Sequence, residues 1–279
     1  MVVYAGQGDP RRSMALLWRD HEPVERTGPG PKSQLSVDLV VETAIEVADT
    51  EGMQALSMRA VGQRLGRTAM SLYTYVASKN ELVDLMYDHA FAELVREWET
   101  ETTTLEGATD KTVWREEVLT WTGNLWRFYL RHPWSLEISQ ARPVLGPNEY
   151  QVFESLATVL HRAGLPPKAI SGAHASIFNL VRGLVRTAAE ARQAQAVTGI
   201  PEDEWWYARS AQLEEVVEDF DTRFPTLTLM TQAGAFDNAD PDEPYLEQEA
   251  WESFQFGLDA LLDGVRNQIE AASPEPKAP

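Results

Sequence analysis

Between an apolar run at Ser57 to Leu65 and the next run, opening at Thr68, the chain leaves only Gly66 and Arg67 in which to turn. Two helices joined that closely must cross steeply, and the corner needs a residue that tolerates left-handed backbone, which Gly66 does. A further helix precedes them: Val37, Val40, Val41, Ala44, Ile45 and Ala48 recur at helical spacing, Ser36 is placed to cap and Gly52 to close. Three helices with a glycine turn between the second and third form a helix-turn-helix, in which one helix braces another across a DNA backbone. Any three-helix bundle with such a turn has the same pattern, so these residues alone leave DNA binding and plain packing both open.

The rest of the chain also reads as helices, with no alternating run long enough for a sheet. Ser78-Lys79-Asn80-Glu81 is a capping box that opens a helix predicted to reach about Glu99. Trp114, Val118, Trp121, Leu125 and Phe128 share a face of the next, stopped near Pro133. Tyr150, Phe153, Leu156, Ala157 and Leu160 lie on another, between Gly146-Pro147 and Gly164. Two long apolar helices are predicted at Pro167 to about Gln193 and about Tyr245 to Ile269, separated by an acidic, Trp-containing stretch. The expected fold is all-α, with a small helix-turn-helix domain at 36–96 and a larger helical domain at 97–270. Residues 1–35 are expected to be a flexible arm, with a short helix at Ser13 to Asp20, and residues 271–279 a disordered tail.

The net charge of −19 runs against a nucleic-acid partner until its distribution is considered. Residues 1–80 carry nine Lys or Arg and nine Asp or Glu, so the whole excess of acid lies in 81–279. Ser57 to Lys79 holds four basic residues and no acidic one. A positive window in an acidic protein can face phosphate while the remainder repels it; the acid also serves solubility. The basic residues of the arm, Arg26 and Lys32 among them, suit either a minor-groove contact or a solvated leader.

With no cysteine there is no disulfide, thiolate metal site or cysteine nucleophile. Met1 to Arg12 lacks a signal-peptide pattern and no apolar run reaches the roughly 18 residues of a membrane helix, which predicts a soluble, cytoplasmic protein. His21, His89, His132, His161 and His174 are scattered, without a metal-binding pair, and neither a phosphate loop nor a nucleophile elbow is present. Nothing asks for catalysis or a cofactor, and an enzyme is the weaker alternative. An all-helical binding protein without DNA recognition is another, opposed by the basic window.

Residue by residue, Thr43 to Gly52, Ala55 to Gly66, Ser71 to Val76 and Ser78 to Leu82 resemble the DNA-binding domain of the tetracycline-repressor (TetR) family. His132-Pro133-Trp134, Arg142-Pro143, Gly146-Pro147-Asn148, Arg223-Phe224-Pro225-Thr226 and Phe254 to Leu258 resemble its C-terminal domain, in the branch common among actinobacteria. The resemblance covers about residues 36–270. It implies a homodimeric regulator that holds double-stranded operator DNA, most simply as a repressor, and releases it on binding a small molecule. The family's DNA contacts correspond to Arg59, to Arg67, Thr68, Ala69, Met70, Ser71, Tyr73, Thr74 and Tyr75 of the recognition helix, and to Lys79. Arg suits guanine, Met and Ala a thymine methyl, Tyr and Thr hydroxyls and Lys a phosphate. Leu72 and Val76 are core by spacing, and Tyr73 either reaches DNA or only packs.

The founding member's metal and drug ligands do not carry over, because Val95, Trp121 and Ile138 or Ser139 stand where polar groups are needed. That argues against tetracycline. The pocket implied instead is apolar and aromatic, with Trp121, Leu125, Phe128, Ile138, Phe153 and Phe178 as walls and Arg142, His174 and Asn179 or Arg182 as polar anchors. For each aromatic, core packing is the competing role. The two long apolar helices each show a face too broad for one neighbour, which fits a dimeric four-helix bundle.

Overall fold

The computed structural model describes residues 3–19, 35–105, 113–238 and 244–272. Among them are twelve α-helices and no strand, with one isolated parallel bridge from Val3 to Ile138. Arg26, Lys32, His21 and the expected tail beyond Ala272 lie outside the described residues. No helix among those described is long and apolar enough to cross a membrane. The described residues up to Phe178, with those from Leu262 onward, form one compact unit, and Asn179–Leu261 form a second.

In the first unit, α2 (Val37–Glu51), α3 (Met58–Leu65) and α4 (Ala69–Leu72) make the head. Each begins on a hydroxyl that accepts a free backbone amide: Ser36 from Leu39, Ser57 from Ala60 and Thr68 from Ser71. α3 ends on Gly66 at φ 64°, with Arg67 N–H donating to Gly62 O at 2.8 Å, the paired closure that a left-handed residue permits. Val40, Val41, Ala44, Val47, Val61, Leu72 and Val76 are fully buried together with Leu82 and Met86 of the next helix.

That helix, α5 (Lys79–Leu105), exceeds the expected end at Glu99 and at about 40 Å is long enough to serve both ends of the unit. Its capping box is offset from expectation. Ser78 Oγ accepts Glu81 N–H at 3.1 Å, but the Glu81 carboxylate accepts Ala77 N–H, one residue before the Ser. α5 packs on α2, on α6 (Trp114–Arg131), on α7 (Pro147–Arg162) and on α1 (Pro10–Leu17). A 3-10 turn at Pro133–Glu137 follows α6. α7 starts where Asp88 of α5 accepts Glu149 N–H at 2.9 Å and Asn148 Nδ2–H at 3.0 Å, a carboxylate against a helix N-terminus. Gly146 makes this approach possible, since a β-carbon there would lie 2.1 Å from Asp88 Oδ1.

The expected arm is corrected over residues 3–19, which are docked. α1 starts at Pro10, earlier than Ser13, because Asp9 caps it and proline suits its first turn. Ala5 and Leu17 are buried, Gly6 N–H donates to Asp84, and Trp18 Nε1–H donates to Leu145 O at 2.9 Å. Val3 N–H donates to Glu137 O and Ser139 N–H to Val3 O, which forms the bridge. These partners are 78 to 136 residues away in sequence, so no local pattern announces them.

The second unit holds the end of α8 (Pro167–Thr198), α9 (Glu202–Val216), α10 (Phe220–Arg223), α11 (Pro225–Gln232) and the start of α12 (Tyr245–Ala272). α8 and α12 outrun their expected ends at Gln193 and Ile269. Within this unit Arg192 pairs with Glu247, Glu202 accepts Tyr245 N–H at 2.8 Å, and Gly257 admits Leu180, whose Cδ1 would be 3.1 Å from a β-carbon. The acidic stretch left unassigned from sequence is thus three helices. α9 places Trp205, Trp206, Tyr207, Leu213 and Val216 around its circumference with none buried, so no apolar face marks it.

Candidate nucleic-acid interface and interior pocket

The short helix α4 is aimed outward by what its other side buries. Leu72 and Val76 have no exposed surface, so Met70 and Tyr73, two and one residues from Leu72, project from the head at 76% and 44% exposure. Arg67, Thr68 and Thr74 are exposed with them, while Ala69, Ser71 and Tyr75 are half-buried. Thr68 and Ser71 are tied together, Ser71 Oγ–H donating to Thr68 O at 2.7 Å. Arg59 of α3 and Arg67 are exposed and form no ion pair among the described residues. Lys79 is exposed, its ammonium donating to Met53 O at 3.4 Å. Arg64, in contrast, bonds Glu51 and Thr50 and is engaged within the head. Two mobile-charge guanidiniums and a row of hydroxyls beside a buried hydrophobic anchor can meet phosphates and base edges.

The first unit also contains a small pocket among α5, α6 and α7, with a cavity volume of about 20 Å3. α5 lines it with Leu94, Val95, Trp98 and Glu99, α6 with Trp121, Asn124 and Leu125, and α7 with Gln151, Val152 and Ser155. Trp121 Nε1–H donates to Ser155 Oγ at 2.9 Å, and that hydroxyl donates to Val152 O, which fixes the indole across the pocket. Asn124 is buried and donates to Glu101 at 2.7 Å. Two indoles and four aliphatic walls with a few oriented polar groups suit a flat, largely apolar molecule.

Of the residues expected to bind a ligand, Trp121 and Leu125 line this pocket. Phe128, Ile138 and Arg142 are not among its lining residues. Phe128 lies two turns beyond Trp121 on α6 and packs on Phe91 of α5, with ring centroids 5.1 Å apart; the shared helical face hid which neighbour each ring meets. Ile138 is buried beside the Val3 bridge, and Arg142 is exposed in the loop before α7. Phe153, His174 and Phe178 form a ring cluster next to Trp121, with His174 4.0 Å from Phe153 and 6.1 Å from Trp121. Burial pushes the His174 imidazole down to about 4, so it is neutral at pH 7, and its Nε2 has no hydrogen-bond partner among the described residues. Asn179 and Arg182 belong to the second unit. Sequence reasoning missed Leu94, Trp98, Glu99, Asn124, Gln151, Val152 and Ser155. Their available signal was the continuation of the Phe91 face of α5 by Leu94, Val95 and Trp98 at helical spacing.

Residues 40–86 match the family described as bacterial regulatory proteins, tetR family, and residues 106–269 match the tetracyclin repressor-like C-terminal domain. Among curated proteins the chain is similar to the HTH-type transcriptional repressor DrrR1 of Streptomyces coeruleorubidus, 34% identical over 261 residues, covering 94% of this chain and 87% of that protein. Among solved structures it resembles apo ActR from Streptomyces coelicolor, with a TM-score of 0.61 and 25% identity over 85% of this chain and 99% of that one. ActR in complex with actinorhodin matches with a TM-score of 0.60, 25% identity and the same coverage.

Proposed function

The chain belongs to the tetR family of bacterial regulatory proteins and is a helix-turn-helix transcriptional regulator, not an enzyme; from that premise we propose that it represses by holding operator DNA and lets go when a small aromatic or hydrophobic effector enters the pocket among α5, α6 and α7. Residues 36–96 do the holding, through Arg59, Lys79 and the Arg67 to Tyr75 stretch, excluding buried Leu72. Residues 97–270 bind the effector and pair two copies through α8 and α12, in the cytoplasm where the DNA lies.

One helix carries the proposal. α5 starts on the exposed face at Lys79 and, four turns later, walls the pocket with Leu94, Val95, Trp98 and Glu99. A molecule seated against Trp98 and Trp121 changes where the far end of α5 rests, and that displacement is passed on to the head. In a two-fold dimer it alters the spacing of two recognition helices, which must match half-sites about 34 Å apart or somewhat more. Actinorhodin, in complex with which the similar protein ActR has been solved, is a first probe to include.

The test is fluorescence anisotropy on DNA from upstream of the protein's own gene, with and without each compound of an aromatic panel that quenches pocket tryptophan. Tight binding to that DNA, loosened by a compound whose quenching is lost in Trp121→Ala, is the expected result. Quenching compounds that leave DNA affinity unchanged would remove the release mechanism. Light scattering at micromolar concentration should give a dimer; a stable monomer would remove the two-fold arrangement.

A further inference from the structure

Where α6 ends, His132 is buried with a carboxylate at each ring nitrogen. Nδ1 lies 2.8 Å from Asp49 Oδ1, at the last turn of α2, and Nε2 lies 3.2 Å from Glu93 Oε2 of α5. Carboxylates accept and do not donate, so both ring nitrogens carry hydrogens and the ring is an imidazolium. Trp134 Nε1–H donates to the same Asp49 oxygen at 2.8 Å, and the rings of Phe128 and Trp134 lie beside the imidazole with centroids 5.1 and 6.2 Å away. Arg131 faces the cluster from α6, pairing with Glu93 and with Glu97 at 2.8 Å, and Arg96 bears on Glu93 along α5.

This cluster connects three parts that matter to regulation. Asp49 belongs to the helix that braces the head, Glu93 stands directly before the pocket residues Leu94 and Val95, and His132 ends the helix that supplies Trp121, Asn124 and Leu125. Separating His132 from either carboxylate is costly, because the imidazolium stays buried and loses one of its two partners. Such a contact is held or broken rather than stretched, as a switch between two discrete arrangements requires.

We infer that His132 is the positioning residue through which occupancy of the pocket is transmitted to the DNA-binding head, an inference that rests on that pocket being the effector site. When a ligand shifts α5 at Leu94 and Val95, Glu93 moves with them. Through the imidazolium that movement pulls on Asp49 and turns α2, on which α3 and α4 are seated.

A mutational cycle tests this without a known ligand. Val152→Trp fills the pocket with an indole in place of an effector, and operator affinity is measured by anisotropy in the parent and in His132→Gln. Filling should weaken operator binding about tenfold or more in the parent, and less than about twofold when His132 is Gln. Equal weakening in both backgrounds overturns the role of His132 while leaving the pocket as effector site. No weakening in either removes the pocket reading and this inference with it. If His132→Gln does not fold, as judged by its melting curve, Asp49→Ala and Glu93→Ala each break one arm of the bridge and should reduce the same ratio. A pH series adds a readout that ordinary packing would not give. Burial alone would lower the His132 pKa, but its bonds to Asp49 and Glu93 raise it to about 9. The loss caused by Val152→Trp should therefore shrink as pH rises toward 9 in the parent and stay flat in His132→Gln; a flat parent profile overturns the inference.

Discussion

The carbonyl of Gly62 accepts the amide of Arg67 at 2.8 Å, and a β-carbon on Gly62 would stand 2.8 Å from the carbonyl oxygen of Arg67. Backbone, not a flexible side-chain tip, occupies that space. Gly62→Ala must therefore pry α4 away from α3, at a cost of about 1–3 kcal/mol. The expected outcome is a lower melting temperature together with at least about a tenfold loss of operator affinity, since the recognition helix is re-aimed. Gly66→Ala is the control. Its φ of 64° strains alanine by about 1 kcal/mol, but nothing lies within 4 Å of the added carbon. It should lower the melting temperature and leave the affinity of the folded protein nearly unchanged.

Lys79 and Met70 should fail in different ways. Lys79→Ala removes one phosphate partner, so binding to every DNA sequence weakens and the slope of log affinity against log salt falls by about 1. Met70, 76% exposed beside buried Leu72, has an apolar tip suited to a thymine methyl. Met70→Ala should change which half-site base is preferred while leaving the salt slope alone. Competition anisotropy across single-base operator variants, at several salt concentrations, separates the two; a Lys79→Ala protein with the parent's slope would remove that residue from the interface.

These local features were legible because their causes are local. Ser36, Ser57, Thr68 and Ser78 each cap within three residues of themselves, and Gly66 turns the chain where it stands. The helix-turn-helix geometry was therefore readable from one stretch of sequence. The pocket was only half readable: the period of α6 selects Trp121, Leu125 and Phe128 as buried, but Phe128 meets Phe91 whereas Trp121 meets Ser155, and that difference belongs to the neighbouring helices. The contacts of Trp18 with Leu145, Gly6 with Asp84 and His132 with Asp49 span 78 to 127 residues and leave no periodic trace. α9 escaped for the opposite reason, since its apolar residues face every direction.

Asp84 should make stability fall as pH rises through the mildly acidic range. Burial pushes its carboxyl up to about 6, Gly6 N–H works against that, and Glu81 adds to it. The folded protein thus holds this proton more tightly than the unfolded chain, whose ordinary carboxyl releases it near 4. Below about pH 4 the group is neutral in both states and contributes nothing; between about 4 and 6 the unfolded state gains by ionising, and above 6 the penalty is constant. Asp84→Asn keeps an oxygen for Gly6 N–H and removes the charge. At pH 7 it should be more stable than the parent by up to roughly 3 kcal/mol, with the difference closing near pH 4. Denaturant titrations at the two pH values check this, and an equal difference at both would assign the effect to packing instead.

The last prediction concerns the two ligands of α5. The helix presents Lys79 at the exposed face and Leu94, Val95, Trp98 and Glu99 at the pocket, so a compound that displaces DNA does so by favouring a placement of α5 that DNA does not. Both equilibria then share one free-energy difference, and linkage makes the effect mutual: whatever factor the compound takes from operator affinity, operator takes from the compound's affinity. A hundredfold effect corresponds to about 2.7 kcal/mol. Burying about 100 Å2 of additional apolar surface in one placement supplies that amount, less than the area of one indole. Trp98 and Trp121 lie in the pocket wall and report binding through their fluorescence, so compound affinity can be followed with and without saturating operator. The two affinities should differ by the same factor that the compound imposes on DNA binding. Equal pocket affinities, for a compound that demonstrably displaces operator, would mean that the displacement arises from a second molecule bound outside the pocket and that α5 transmits nothing.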